Sequence, residues 1–222
     1  VVGDIDAATL APLLDRVFGK LPAEGKLAAV AEVKPAAGGT VRETAPIPQA
    51  VVRFGGLGLK RDDPDFVAAY VMNHILGGGA FSSWLYAEVR EKKGLAYSVS
   101  TGLTPMMHAG LFVGSVGTRA DKVEESLAII RTEIARMRDQ GPSEKELAAA
   151  KAFLTGSYAL RFDTSDKIAG SLLAIQIDDL GIDYIDKRNS LIESVTLDDI
   201  RRVAKRLFAE PMTVVTVGPK AE

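Results

Sequence analysis

The chain contains no cysteine. That excludes a disulfide framework, a Cys-ligated zinc knuckle and a thiol nucleophile. It leaves the compartment open, since a Cys-free protein is at ease in reducing and oxidising surroundings alike. Histidine is almost as scarce, with only His74 and His108, so imidazole chemistry is tightly limited. No apolar run approaches the ~18 residues of a membrane-spanning helix, and no signal-peptide pattern is read at the start. An excess of one charge is missing too: 29 acidic against 27 basic residues leave a net −2. A nucleic-acid binder normally carries a basic domain or stripe, so none is expected as partner. The sequence does have 222 residues, 47% of them hydrophobic, enough to bury roughly 70% of the extended chain's surface without staples. A soluble protein is expected; its compartment stays unknown, a bacterial-type cytoplasm or periplasm being the frame considered. The opening at Val1 rather than Met suggests a processed or excised form.

Val1-Val2-Gly3-Asp4 reads as the tail of a strand, and Leu10, Leu13, Leu14 and Val17 then fall at helical spacing. Residues 22–48 are rich in Ala, Gly, Glu and Pro, which marks a boundary. Residues 49–59 read as a strand. Asp63-Pro64 supplies an N-cap and a first-turn proline for a helix to about residue 76. Gly77-Gly78-Gly79 breaks it. A short helix carrying Phe81, Leu85 and Val89 ends at Gly94. Residues 96–103 and 109–116 follow as an antiparallel pair. Thr118-x-x-Asp121 and Ser143-x-x-Glu146 read as capping boxes. Further helices cover about 165–179 and 186–207, the latter interrupted near Thr196-x-x-Asp199, before a Val-rich closing strand from Met212. Segregated strands and helices with a hairpin argue for an α+β fold: a mainly antiparallel sheet with helices packed on one face.

The motifs mostly favour bland readings. His74 is followed by Ile75, Leu76 and Gly77, so neither H-E-x-x-H nor H-x-x-E-H is present; His74 and His108 read as structural or surface residues. Carboxylates alone are poor zinc ligands, so no metal site is expected here. Gly55-Gly56-Leu57-Gly58 matches no phosphate-binding pattern and suits close backbone approach.

The informative stretch is GGGAFSSWLYAEVREKKGLAYSVSTG, residues 77–102. Arg90 occupies a last helical turn, where a cation is favoured. Tyr97 stands at the mouth of the next strand. A tight turn at Gly94 folds these positions toward each other, so guanidinium and phenol could serve together as donors to a carbonyl or a developing oxyanion. Spacing alone leaves the alternative of a solvated helix end beside an ordinary strand tyrosine.

This stretch closely resembles the signature of the non-catalytic half of the pitrilysin/insulinase family of zinc metallopeptidases. Asp63-Pro64-Asp65, Ser143-Glu144-Lys145-Glu146-Leu147 and the Thr-Val-Val-Thr-Val-Gly ending fall where that family has similar segments. The resemblance implies a fold like one half of a pitrilysin or mitochondrial processing peptidase-like metallohydrolase. It also divides the chain into 1–22 (last strand and helix of a preceding homologous half), 23–46 (linker) and 47–222 (non-catalytic peptidase-family domain).

By the same resemblance, Arg90 and Tyr97 are auxiliary catalytic residues that bind the substrate carbonyl or oxyanion, while Gly78, Gly79 and Phe81 contact substrate. Zinc is expected in a partner half bearing H-x-x-E-H, supplied in cis or in trans, and none in this chain; the substrate is a peptide. A homodimer is a further arrangement to consider. The chain alone would be inactive. The alternative is a catalytically silent structural subunit, as among respiratory-complex core proteins. Trp84 departs from the pattern, standing where the family has Arg after paired serines.

Overall fold

The computed structural model describes residues 1–219. Five strands form one sheet in the order β1-β5-β2-β4-β3: β1 (Thr40–Thr44), β2 (Ala50–Leu57), β3 (Ala96–Met106), β4 (Ala109–Thr118) and β5 (Thr213–Gly218). All neighbours are antiparallel except β1 and β5, which run parallel. Burial alternates along the strands. Ala50, Val52 and Phe54 of β2 are buried while Val51 and Arg53 face solvent, and β4 buries Phe112 and Val116 on the same side. One face of the sheet therefore takes the helical layer, as the α+β reading requires.

The helices are α1 (Ala7–Phe18), α2 (Phe66–Asn73), α3 (Val123–Asp139), α4 (Glu144–Gly156), α5 (Ser165–Ile177), α6 (Tyr184–Glu193) and α7 (Leu197–Leu207). Helix α2 buries Phe66, Ala68, Ala69, Val71, Met72 and Asn73. It lies between β3 on one side and α4, α6 and α7 on the others. A helix apolar all round belongs in such a place. Met72, Leu76, Leu85, Phe112, Ile130, Met137, Ile192 and Ile200 are among the largest fully buried side chains. Each such side chain contributes roughly 1.5–3 kcal/mol relative to exposure.

Polar residues fix how the helices start and dock. Ser143 and Glu146 form the anticipated capping box on α4, and Thr196 with Asp199 forms another on α7. Two expected caps are different. Thr118 does not cap α3; its hydroxyl donates to the Leu95 carbonyl at 2.6 Å, and a short 3₁₀ turn, Ala120–Lys122, leads into the helix. Asp63 does not cap α2 either, which begins only at Phe66. Asp63 and Asp65 instead receive Arg206 and Arg202 of α7 at 2.7 and 2.8 Å, locking α7 against the start of α2.

The segment read as a linker contains β1, whose residues are all exposed. Residues 1–4 form no strand. Helix α1 buries none of its residues, and its apolar Leu13, Leu14, Val17 and Phe18 lie exposed.

Candidate functional site

The corner between residues 77 and 97 is built by backbone irregularity. After α2 the chain widens into a π-helical turn, His74–Gly78, and a 3₁₀ turn, Ala80–Ser82. Gly79 lies so close to the preceding turn that a Cβ there would meet the His74 carbonyl oxygen at 2.6 Å. Ala80 has φ +45°, a costly conformation for a non-glycine residue and one often stored at functional sites. A second π-helical segment, Tyr86–Lys92, follows. Gly94, at φ +60°, ends it with its N–H on the Arg90 carbonyl at 3.0 Å, and Leu95 N–H reaches Val89 O at 3.0 Å. Glycine's freedom in the left-handed region makes this corner cheap.

Strand β3 starts at once, and its pairing with β4 slips between Ala96 and Ser98. Tyr97 is the extra residue of this bulge, a device that re-aims one side chain out of a regular ladder. It stands 79% exposed. Back across the corner, the Arg90 guanidinium carbon lies 5.2 Å from the Tyr97 ring centre and 4.7 Å from that of Tyr86, both within cation–π range. Arg90 Nη1 donates to the Tyr86 hydroxyl. The phenol of Tyr97 projects free beside a cation that is held in place.

Of the residues expected to touch substrate, Phe81 joins this cluster through Tyr86, ring centres 5.0 Å apart and edge to face, and is 73% exposed. Gly78 lines a neighbouring cavity with Asn73 and Thr101. Gly79 packs against His74. Tyr86 escaped the sequence reading. Its signal was the i,i+4 spacing to Arg90, which puts the two on one helical face.

Trp84 has a structural explanation. It is buried, its Nε1 donates to Glu146 Oε1 at 2.7 Å, and the Arg136 guanidinium lies 3.8 Å from its ring centre. Burial raises the Glu146 carboxyl, but hydrogen bonds from Ser143 and Trp84 and the nearby Arg136 bring it below its ordinary 4.5. His74 is buried and stacked on Phe153 at 5.0 Å, and burial depresses its pKa. His108 occupies the β3–β4 turn, its carbonyl accepting from Val33 N–H at 2.8 Å. Among the described residues no group of three or more His, Cys, Asp or Glu could hold a metal ion, so the donor set does not fit zinc. No described helix is long and apolar enough to cross a membrane.

Comparison with known proteins bears on the family and the fold. The family model described as the peptidase M16 inactive domain matches residues 1–154. An uncharacterized zinc protease of Streptomyces coelicolor is 34% identical over 174 residues, covering 77% of this chain and 37% of that protein. A non-peptidase homolog of Helicobacter pylori is 34% identical over 117 residues, covering 52% of this chain and 27% of its own length. The crystal structure of a peptidase M16 inactive domain from Pseudomonas fluorescens superposes with a TM-score of 0.86 at 30% identity, covering 99% of this chain and 53% of that one. The chain thus spans about half or less of these relatives. Matched by sequence over most of its length and by fold almost throughout, it belongs to the peptidase M16 family, the pitrilysin/insulinase metallopeptidases, as an inactive domain.

Proposed function

We propose that this chain is the metal-free half of a zinc metalloendopeptidase, closing the substrate chamber and holding a peptide near the scissile bond through Arg90 and Tyr97. The observation that supports this most is the exposed, bulge-directed phenol of Tyr97 beside a guanidinium fixed by Tyr86. Two donors of this kind, one of them charged, stabilise oxygen that gains negative charge better than they stabilise a ground-state carbonyl. Tyr97 would donate to the substrate oxygen, and Arg90 would orient the phenol and add positive potential. The zinc of the H-x-x-E-H half would supply the Lewis-acid chemistry. Strand β3 lies at the sheet edge, where an extended peptide can add as a further strand.

The catalytic half would come on the same polypeptide or as a separate chain. Two copies of this chain would bring no metal-holding cluster among the described residues, so on this reading a homodimer alone would not cut. The uncovered apolar side of α1 suits packing against a preceding half, in keeping with residues 1–22 as the end of that half. Reconstitution tests the reading: a metal-bearing half without this domain should hydrolyse peptides slowly, and adding this chain should raise turnover. No gain on formation of a stable complex would contradict it. The silent structural reading is favoured by one observation, the relative named a non-peptidase homolog, and a partner half without H-x-x-E-H would establish it.

A further inference from the structure

Beyond the Arg90–Tyr97 corner, a cavity of about 910 Å³ opens between the later residues of β3, α2, the 3₁₀ turn Tyr158–Phe162, α5 and α6. Much of its wall is apolar, yet Arg61, Arg161, Lys167 and Arg188 reach it against a single carboxylate, Asp178. Arg61 is already engaged: Nη2 donates to the Tyr184 hydroxyl at 2.7 Å and Nε lies 3.7 Å from Asp178. Lys167 is paired with Asp163 at 2.8 Å.

Arg188 differs. It is only 6% exposed, and no carboxylate among the described residues pairs with it. Its Nη1 donates to the Leu154 carbonyl at 3.1 Å and to Asn189 Oδ1 at 3.2 Å, and its guanidinium carbon sits 4.0 Å from the Tyr158 ring centre. Arginine cannot shed its proton at working pH, and two oxygen acceptors with the Tyr158 and Tyr70 rings, 4.0 and 5.9 Å away, offset its charge without a countercharge. The bonds to Leu154 and Asn189 use Nη1 and leave the Nε/Nη2 edge. Elsewhere in this chain that same edge grips carboxylates two-handed: Arg119 holds Asp121 at 3.0 and 2.8 Å, and Arg138 holds Asp139 at 2.7 and 2.9 Å.

We propose that this cavity is a subsite for a peptide carboxylate, an Asp or Glu side chain or a C-terminus, gripped by the Nε/Nη2 edge of Arg188 while apolar walls take flanking side chains. The inference rests on the peptide-binding reading above. Thr101 lies four residues along β3 from Tyr97, about 13 Å at ~3.3 Å per residue. A peptide running along β3 from Tyr97 would reach the β3 wall of this cavity about four residues on.

The test uses this chain assembled with its metal-bearing half, in cis or in trans, that half made inert at the H-x-x-E-H glutamate, and four versions of one labelled peptide: Asp or Asn inside, free or amidated at the C-terminus. At least one carboxylate-bearing version should bind about tenfold or more tightly than the neutral one, and the arm that keeps the advantage identifies the carboxylate's source. Arg188→Gln should erase the difference while leaving the neutral peptide's affinity in place, and Arg188→Lys should restore only part. Equal affinity of all four for the wild-type protein overturns the proposal without recourse to any variant. So does an undiminished preference in folded Arg188→Gln, which would leave peptide binding itself standing. Failure of every peptide to bind removes the peptide-binding reading and this subsite together.

Discussion

Tyr97 and Arg90 meet because Gly94 turns the chain and a bulge turns one side chain outward. Tyr86 completes the arrangement by giving the guanidinium an acceptor and a ring to rest on. On the proposed reading its role is to position Arg90, so Tyr86→Phe should lower kcat by about tenfold, near the value of one hydrogen bond to a charged group. KM and melting temperature should hardly move, and steady-state kinetics with a thermal melt check both. The turn at Gly94 suggested that Arg90 and Tyr97 could approach each other, spacing alone left that open, and their role came only from the family resemblance. Tyr86 was not legible, because aromatic residues on short helices are usually core and its i,i+4 spacing to Arg90 is a weak signal on its own. Trp84 was legible as a departure from the pattern; its bond to Glu146, 62 positions away, was not.

At the scale of elements, the α4 capping box also anchors Trp84 and Arg136 through Glu146. Glu146→Ala should therefore cost roughly 2 kcal/mol in urea denaturation, about one for the cap and one for the bond to the indole. Glu144→Ala, on the exposed side of the same turn, should cost under about 0.5 kcal/mol. Acid should loosen the same joints. Burial raises the Asp63 carboxyl, but the Arg206 hydrogen bonds and the Asp65 N–H bring it below its ordinary 3.8, and the Thr196 hydrogen bonds lower Asp199 likewise. A carboxyl lowered on folding contributes stability that is complete above its unfolded value and lost as pH falls through the folded one. The melting temperature should hold down to about pH 5 and then drop, and Asp63→Asn should make that drop shallower.

Capped helices such as α4 and α7 were plain in the sequence because a cap is a local, four-residue signal. Strand β1 was not: Thr40–Thr44 has no buried face and is a strand through pairing with β5, more than 170 residues later. Thr118 misled because its hydroxyl had a better partner in Leu95 O than in a helix start.

For the whole molecule, the α+β class followed from the order of elements and the family chiefly from the 26 residues 77–102, with shorter matching segments at 63–65, 143–147 and 213–218. The Arg188 cavity could not have been read, since its lining is drawn from residues 61 to 192 and only folding brings them together. On the proposed reading this domain works only together with a metal-bearing half. By itself it should bind no stoichiometric zinc in equilibrium dialysis and cleave no peptide. The most direct test of the central claim is turnover of the assembled peptidase carrying Tyr97→Phe. If the phenol donates to the oxygen that gains charge, kcat should fall about 10²–10³-fold with KM little changed. Unaltered kcat in a correctly assembled variant would contradict it.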